Sequence, residues 1–298
     1  MAALTIVQVS DTHLSRKWAY FQDNWDAFLD CMHEERPDFI FVTGDMCFNG
    51  AKTPDDLAYT REQMARLPVP WRAIPGNHDI GDTPPDRRLK GPITAARRTR
   101  YRRQFGPDFW VEDLGGWRFI GLNAQLLESG LAAEKAQMAM LQDALASADD
   151  RSVALLIHKP LFLQNRDETG HALSRLWPRS RKRLLSLCEK YRVKLVASGH
   201  RHCYRSMRHG TTRLIWAPPT SFIDTRATGS GPRLTRRVGY IRYRFEGKRF
   251  SHEFVEPPRF INYDMRNWMA AHGSTTRLPP RPLPSGESER HQRLARQN

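Results

Sequence analysis

The stretch Leu4-Thr5-Ile6-Val7-Gln8-Val9-Ser10-Asp11-Thr12-His13 decides how this chain is to be read. Leu4–Val9 is a short apolar run rich in β-branched residues, too brief for a helix and bounded by polar residues, so it reads as a buried strand. It ends on a carboxylate and an imidazole. Working outward, similar apolar runs occur at 38–43, 71–75, 117–122, 153–157, 194–197, 213–216 and 239–245. Between several of them lie segments of helical period, at 24–35, 55–67, 133–147 and 179–191. The last has Pro178 at a helix start and an apolar stripe of Leu184, Leu185, Leu187 and Cys188. Strand and helix in alternation predict an α/β layered fold with largely parallel pairing. Toward the C-terminus the helices give out. Residues 194–256 read as consecutive strands, with a hairpin at Gly247 between 240–245 and 250–255, which implies a second sheet ending in antiparallel strands.

The chemistry sits where the strands stop. Asp11 and His13 follow the first strand, and Asp45 follows the second in Thr43-Gly44-Asp45. Asn77, His78 and Asp79 follow the third, in Pro75-Gly76-Asn77-His78-Asp79. His158 ends a fourth run, and His200 and His202 end a fifth in Gly199-His200-Arg201-His202. All lie just beyond the carboxyl end of an expected strand, the edge at which open α/β sheets bind ligands. A lone histidine there is most often structural. Five of the eleven histidines on these strand ends, with two aspartates and an asparagine, are hard to obtain from packing alone and read as metal ligands. Mixed imidazole and carboxylate shells suit Mn, Fe and Zn rather than Mg and Ca. An aspartate between two such ions bridges them at about 3.5–4 Å, and water bound there gives a hydroxide nucleophile near neutral pH. Glycines 44, 76 and 199 fit tight turns that bring backbone close to the ions.

These blocks, in this order, resemble the calcineurin-like metallophosphoesterase superfamily, whose pattern is D-x-H, G-D, G-N-H-[DE], H and G-H-x-H. The matching text is Asp11-Thr12-His13, Gly44-Asp45, Gly76-Asn77-His78-Asp79, His158 and Gly199-His200-Arg201-His202. The resemblance implies a four-layer αββα sandwich with two mixed β-sheets. It implies that Asp11, His13, Asp45 and His202 hold one metal ion, and that Asp45, Asn77, His158 and His200 hold the other, with Asp45 bridging. His78 would be no ligand but would face the substrate phosphate, stabilising charge or protonating the leaving oxygen. Asp79 would either orient that ring or serve as a loop or helix-capping residue. The implied activity is hydrolysis of phosphomonoesters or phosphodiesters.

One departure bears on the branch. Protein Ser/Thr phosphatases of this superfamily carry G-D-x-V-D-R-G, whereas here Phe48 and Asn49 stand in place of the second aspartate and the arginine. The compact size and the His158-Lys159-Pro160 block look more like bacterial enzymes acting on small substrates, of cyclic-nucleotide or glycerophosphodiester type. Two other readings compete: a nuclease acting on DNA or RNA, and a catalytically silent scaffold. Silent relatives typically lose a ligand or the histidine equivalent to His78, and this chain has lost none.

Composition sets the remaining bounds. The 298 residues can bury a large core, and no apolar run approaches the roughly 18 residues that a membrane span needs. Four scattered cysteines and no export-type N-terminus predict a reduced, cytoplasmic protein. The excess of 47 basic over 32 acidic residues, a net +15, attracts phosphates, nucleic acid or anionic lipid, or else simply reflects arginine-rich composition. Residues 1–262 read as the catalytic domain, with 81–112 as an insertion, a lid or rim. The cluster Arg97, Arg98, Arg100, Arg102 and Arg103 within it reads as a solvated face. Residues 263–298 read as a basic tail, disordered over 273–298. Lys159 reads as a solvated loop lysine and Cys203 as a buried thiol, while Arg201 points either way.

Overall fold

In the computed structural model the described residues are 3–84, 91–225, 234–272 and 279–283. The first half runs β1 (Leu4–Val9), α1 (Gln22–Glu35), β2 (Phe39–Thr43), α2 (Pro54–Met64), β3 (Trp71–Ile74), the single-turn α3 (Asn77–Ile80) and α4 (Ala95–Phe105). The second runs β4 (Trp110–Leu114), β5 (Trp117–Leu122), α5 (Ala132–Ala146), β6 (Ser152–Ile157), α6 (Pro178–Lys190), β7 (Leu195–Ser198), β8 (Arg205–His209) and β9 (Thr212–Trp216). Then follow β10 (Phe222–Ile223), β11 (Tyr240–Glu246), β12 (Arg249–Val255), β13 (Tyr263–Asp264) and α7 (Met265–His272).

The strands form two mixed sheets, as expected. One has the order β12-β11-β1-β2-β3, parallel from β1 to β3 and antiparallel beyond. The other has the order β4-β5-β6-β7-β9-β8, parallel at its centre with antiparallel edges. The central strands are apolar on both faces because both faces are covered. Ile6, Phe41 and Ile74 from the first sheet meet Phe119, Leu156, Ala197 and Ile215 from the second, making the layer between the sheets. Outside the first sheet, α1 buries Trp25, Phe28, Leu29 and Met32 at helical spacing, with α2 and α4 beside it. Outside the second, α5 and α6 bury Leu141, Leu145, Leu184 and Leu185. The result is four layers in the order αββα.

Three stretches differ from their sequence reading. Within 81–112, α4 is a capped helix: Thr94 Oγ1 accepts from Arg97 N at 3.2 Å, and Tyr101 is fully buried on the core. Its arginines do line the outer face, although Arg98 pairs with the buried Asp108 at 2.8 Å. Strand β4 begins inside the same stretch. Its charged outward residues Glu112 and Asp113 disguise an edge strand as a loop. The part of the expected lid at 85–90 lies outside the described residues.

Beyond 262, β13 pairs with β10, and α7 lays Met265, Trp268 and Met269 against Tyr20, Phe21 and Phe222. Residues 279–283, expected to be disordered, return to the domain: Ala19 N donates to Arg281 O and Arg281 N to Lys17 O, both at 2.9 Å. Tyr20 Oη donates to Pro279 O at 2.5 Å, and Leu283 packs on the core. The rest of 273–298 lies outside the described residues.

Candidate metal centre

All the polar residues singled out at strand ends gather at one edge. β1, β2 and β3 bring Asp11, His13, Asp45 and Asn77 from one sheet, and β6 and β7 bring His158, His200 and His202 from the other. The loops are laced together by backbone bonds: Asp11 N to Gly44 O at 3.0 Å, His13 N to Asp45 O at 3.1 Å, and Gly199 N to His158 O at 3.0 Å. Asp11, His13, Asp45, His200 and His202 all have positive φ, between 46° and 69°. A non-glycine residue costs roughly 1 kcal/mol or more in that region, and such strain collects at functional sites. Two glycines make the close approach possible. A β-carbon at Gly76 would lie 2.2 Å from Asp45 Oδ1, and one at Gly199 would lie 1.9 Å from Ser10 Oγ.

Donor atoms converge in three overlapping groups, Asp11-His13-His202, His13-Asp45-His78 and Asp45-His158-His200, each with its atoms within 4.8 Å of one another. Asp45 thus joins the two ends. Its Oδ2 lies 3.3 Å from His158 Nε2, and its Oδ1 accepts from His78 N at 2.7 Å. His13 Nε2 and His202 Nε2 are 3.2 Å apart, and His158 Nε2 and His200 Nδ1 are 3.1 Å apart. Two nitrogens on one tetrahedral ion at about 2.0–2.1 Å are about 3.3 Å from each other, so both imidazole pairs have the spacing of shared ligation.

The outward nitrogens fix the rings. His158 Nδ1 donates to Thr43 O (2.7 Å), His202 Nδ1 to Phe222 O (2.6 Å) and His200 Nε2 to Leu173 O (2.9 Å). A carbonyl only accepts, so each of these nitrogens carries the hydrogen and the inward nitrogen of a neutral ring offers its lone pair. His78 is set in the same way by Phe48 O, at 2.7 Å from its Nδ1. Two buried oxygens, Asp11 Oδ1 and Asn77 Oδ1, have no hydrogen-bond donor in the protein. An uncompensated buried oxygen is unfavourable, and a cation satisfies it. The residues present therefore fit a pair of metal ions.

Electrostatics agree. Burial opposes charge on Asp45, yet His158, His78 and His13 together hold its carboxyl well below the usual range. Burial likewise opposes the proton on His158, but the charge of Asp45 and the hydrogen bond to it push that ring up to about 9. Burial and the adjacent His158 drive His200 well below its ordinary value. One proton thus sits where the ring spacing suits a metal cation.

The remaining residues divide. Asp79 spends its carboxylate on two backbone amides, accepting from Cys47 N at 2.8 Å and Gly76 N at 2.7 Å. It clamps the Asp45 and Asn77 loops together, while the carbonyl of Phe48, not this carboxylate, holds the His78 ring. Burial and the charge of Asp45 raise its pKa to about 7. Lys159 is buried rather than solvated and pairs with Asp82. Cys203 is buried, as are the other three cysteines, none in a disulfide. The orienting carbonyls of Thr43, Phe48, Leu173 and Phe222 were not legible beforehand, because every residue has a carbonyl and only the fold says which one meets an imidazole.

Comparison with known proteins agrees with this geometry. A model of the calcineurin-like phosphoesterases matches residues 4–204. The human serine/threonine-protein phosphatase CPPED1 is 32% identical over 178 residues, which cover 56% of this chain and 54% of that protein. The chain therefore matches about half of that relative's length. A protein of Arcobacter nitrofigilis, named as a probable glycerophosphodiester phosphodiesterase, is 27% identical over 67% of this chain and 72% of its own. Among solved structures, a purple acid phosphatase from yellow lupin seeds shares the fold, with a TM-score of 0.62 at 15% identity, covering 95% of this chain and 57% of that one. With all five sequence blocks inside the matched span and brought to one sheet edge, the chain belongs to the calcineurin-like phosphoesterase family.

Proposed function

We propose that this protein hydrolyses phosphoesters with the help of two metal ions, one held by Asp11, His13, Asp45 and His202 and the other by Asp45, Asn77, His158 and His200. The observation that carries this reading is that Asp45 belongs to two ligand groups at once, one on each side of it. Bound there, the ions would supply Lewis acidity, activating water and neutralising charge on the phosphate. The protein's part is to fix the donors: backbone carbonyls set the imidazole tautomers, and buried loops keep bulk water from the carboxylates. His78, half-buried and oriented by Phe48 O, is suited to donate from Nε2 to a phosphate or leaving oxygen. Asp79 serves as a positioning clamp. Mn, Fe and Zn all suit this donor set.

Small phosphodiesters or monoesters are the favoured substrates, supported by the Phe48-Asn49 departure and by the name of the Arcobacter relative. A phosphoprotein is the second reading, favoured by the printed name of the human relative. A nuclease role rests only on the +15 charge. Four buried, unpaired thiols support a reducing compartment such as the cytoplasm. Among the described residues no helix is long and apolar enough to cross a membrane.

The test is to load the purified chain with Mn, Zn or Fe(II) and assay aryl phosphates, cyclic nucleotides, glycerophosphodiesters, phosphopeptides and oligonucleotides. Hydrolysis that requires about two bound metals per chain is expected, strongest on small esters. Inactivity toward every ester in a fully loaded sample would overturn the reading. Preference for phosphopeptides or oligonucleotides would overturn only the substrate class.

A further inference from the structure

One side of the centre is walled by aromatic rings. The Phe222 ring lies 4.2 Å from that of His202 and 5.1 Å from that of His13. Phe21 follows at 4.9 Å from Phe222, and Trp268 of α7 stacks on Phe21 at 5.0 Å with planes 22° apart. Near His78, whose ring is 4.4 Å from His13, Phe48 stacks with Trp18 at 5.6 Å and 23°. Phe48 and Phe222 are also the residues whose carbonyls orient His78 and His202, so wall and centre share a backbone.

Two features set this cluster apart from ordinary core. Trp18, Phe48, Phe222, Tyr263 and Trp268 are each only half-buried, leaving aromatic surface partly open beside a polar centre. Phe222, Tyr263 and Trp268 also lie beyond residue 204, outside the part matched by the family model. The ligand blocks belong to the family's common domain, whereas much of the wall comes from this chain's C-terminal additions. Cations stand at its margin: Lys17 Nζ is 4.7 Å from the Trp18 ring centroid, and Arg281 Cζ is 5.8 Å from that of Tyr20.

We infer that this wall binds a planar aromatic group carried on the phosphorus of the substrate, so that aryl- or nucleobase-bearing phosphoesters are preferred over those with small alkyl or glycerol groups. The inference rests on the two-ion reading, because a phosphate held at the imidazoles brings only its own substituent within one ring contact of Phe222. Flat, nearly parallel ring faces favour a flat occupant by stacking. A glycerol group would leave them in contact with water.

The experiment uses the metal-loaded full chain and three phosphonates that cannot be hydrolysed: methyl-, cyclohexyl- and phenylphosphonate. Binding is measured by calorimetry and by inhibition of whichever ester proves active. Phenylphosphonate should bind about tenfold more tightly than methylphosphonate, the scale of one added ring stack, and clearly more tightly than cyclohexylphosphonate, which is similar in size but not flat. In Trp18→Leu the phenyl-to-methyl ratio should fall to about twofold. Equal affinity for phenyl and methyl in the wild type, or for phenyl and cyclohexyl, overturns the inference whether or not the variant folds. Methylphosphonate that does not bind, in a sample that hydrolyses nothing, instead overturns the two-ion reading beneath it.

Discussion

Asp45 faces His13 and His78 on one side and His158 and His200 on the other, so a single substitution there reaches both ends of the centre. Asp45→Ala is expected to lower metal content from about two ions toward none and to reduce kcat by more than the 10–100-fold typical of losing an outer-shell partner, checked by elemental analysis beside the assay. His78→Ala should separate from it cleanly. Metal content should stay at the wild-type level while kcat falls about 10²–10⁴-fold, the usual scale for a general acid or charge-stabilising group. Loss of an ion in that variant would make His78 a ligand, a role its position beside His13 and Asp45 also permits. The same residues set a pH dependence. In the metal-free protein His158 keeps its proton up to about pH 9, opposed by burial and raised by Asp45. A metal must displace that proton, so apparent affinity should rise by about tenfold per pH unit below 9 and level off above it. Competition with a chelator from pH 6 to 9.5 would reveal this, and a flat profile would refute it.

At the scale of elements, the single-turn helix α3 and the loop after β2 are joined by one carboxylate. Asp79→Ala leaves the buried amides of Cys47 and Gly76 without acceptors and should cost about 2–4 kcal/mol, read as a lower urea midpoint with weakened metal binding. Asp79→Asn keeps one acceptor and should fall between the two; equal stability in all three would remove the clamp. What was legible beforehand follows from how each element is held. The strands carrying the ligands are continuous apolar runs, and their ends carry residue types that packing rarely selects. β1, β2, β6 and β7 therefore fell within a residue or so of their observed bounds. The hairpin at Gly247 was equally plain, because the turn has φ +53° and apolar strands on both sides. β4 and α4 were obscured because their outward residues are charged and little of each is apolar, so tertiary contacts through Tyr101 and Trp110 decide them. Asp79 was ambiguous for a related reason: a carboxylate beside a histidine suggests a dyad until backbone geometry shows two amides claiming it.

For the whole molecule, the +15 charge and the C-terminal return raise separate questions. Many arginines are committed to carboxylates, as in Arg242 with Glu35 and Glu253 or Arg118 with Asp113, so charge alone defines no nucleic-acid face. The C-terminal return is more specific. Residues 279–283 pair with 17–19, the segment that carries Trp18, and Trp18 stacks on Phe48, whose carbonyl orients His78. A strap nearly 270 residues away in sequence, judged by the Tyr20 to Pro279 separation of 259, thus supports the rim of the centre. Arg281→Pro removes the amide that donates to Lys17 O, and Tyr20→Phe removes the hydroxyl that donates to Pro279 O. Together they should lower Tm by about 2–6 °C, given that 1 kcal/mol shifts a domain of this size by roughly 2–4 °C. The ligand residues are untouched, so the double variant should still bind two metals. Its preference for phenyl- over methylphosphonate should weaken, because the Trp18 face is no longer fixed. An unchanged Tm would show that the strap rests on the surface without stabilising it. A lowered Tm with an unchanged phosphonate ratio would make the strap purely structural and leave the aromatic wall to stand on Phe48 and Phe222.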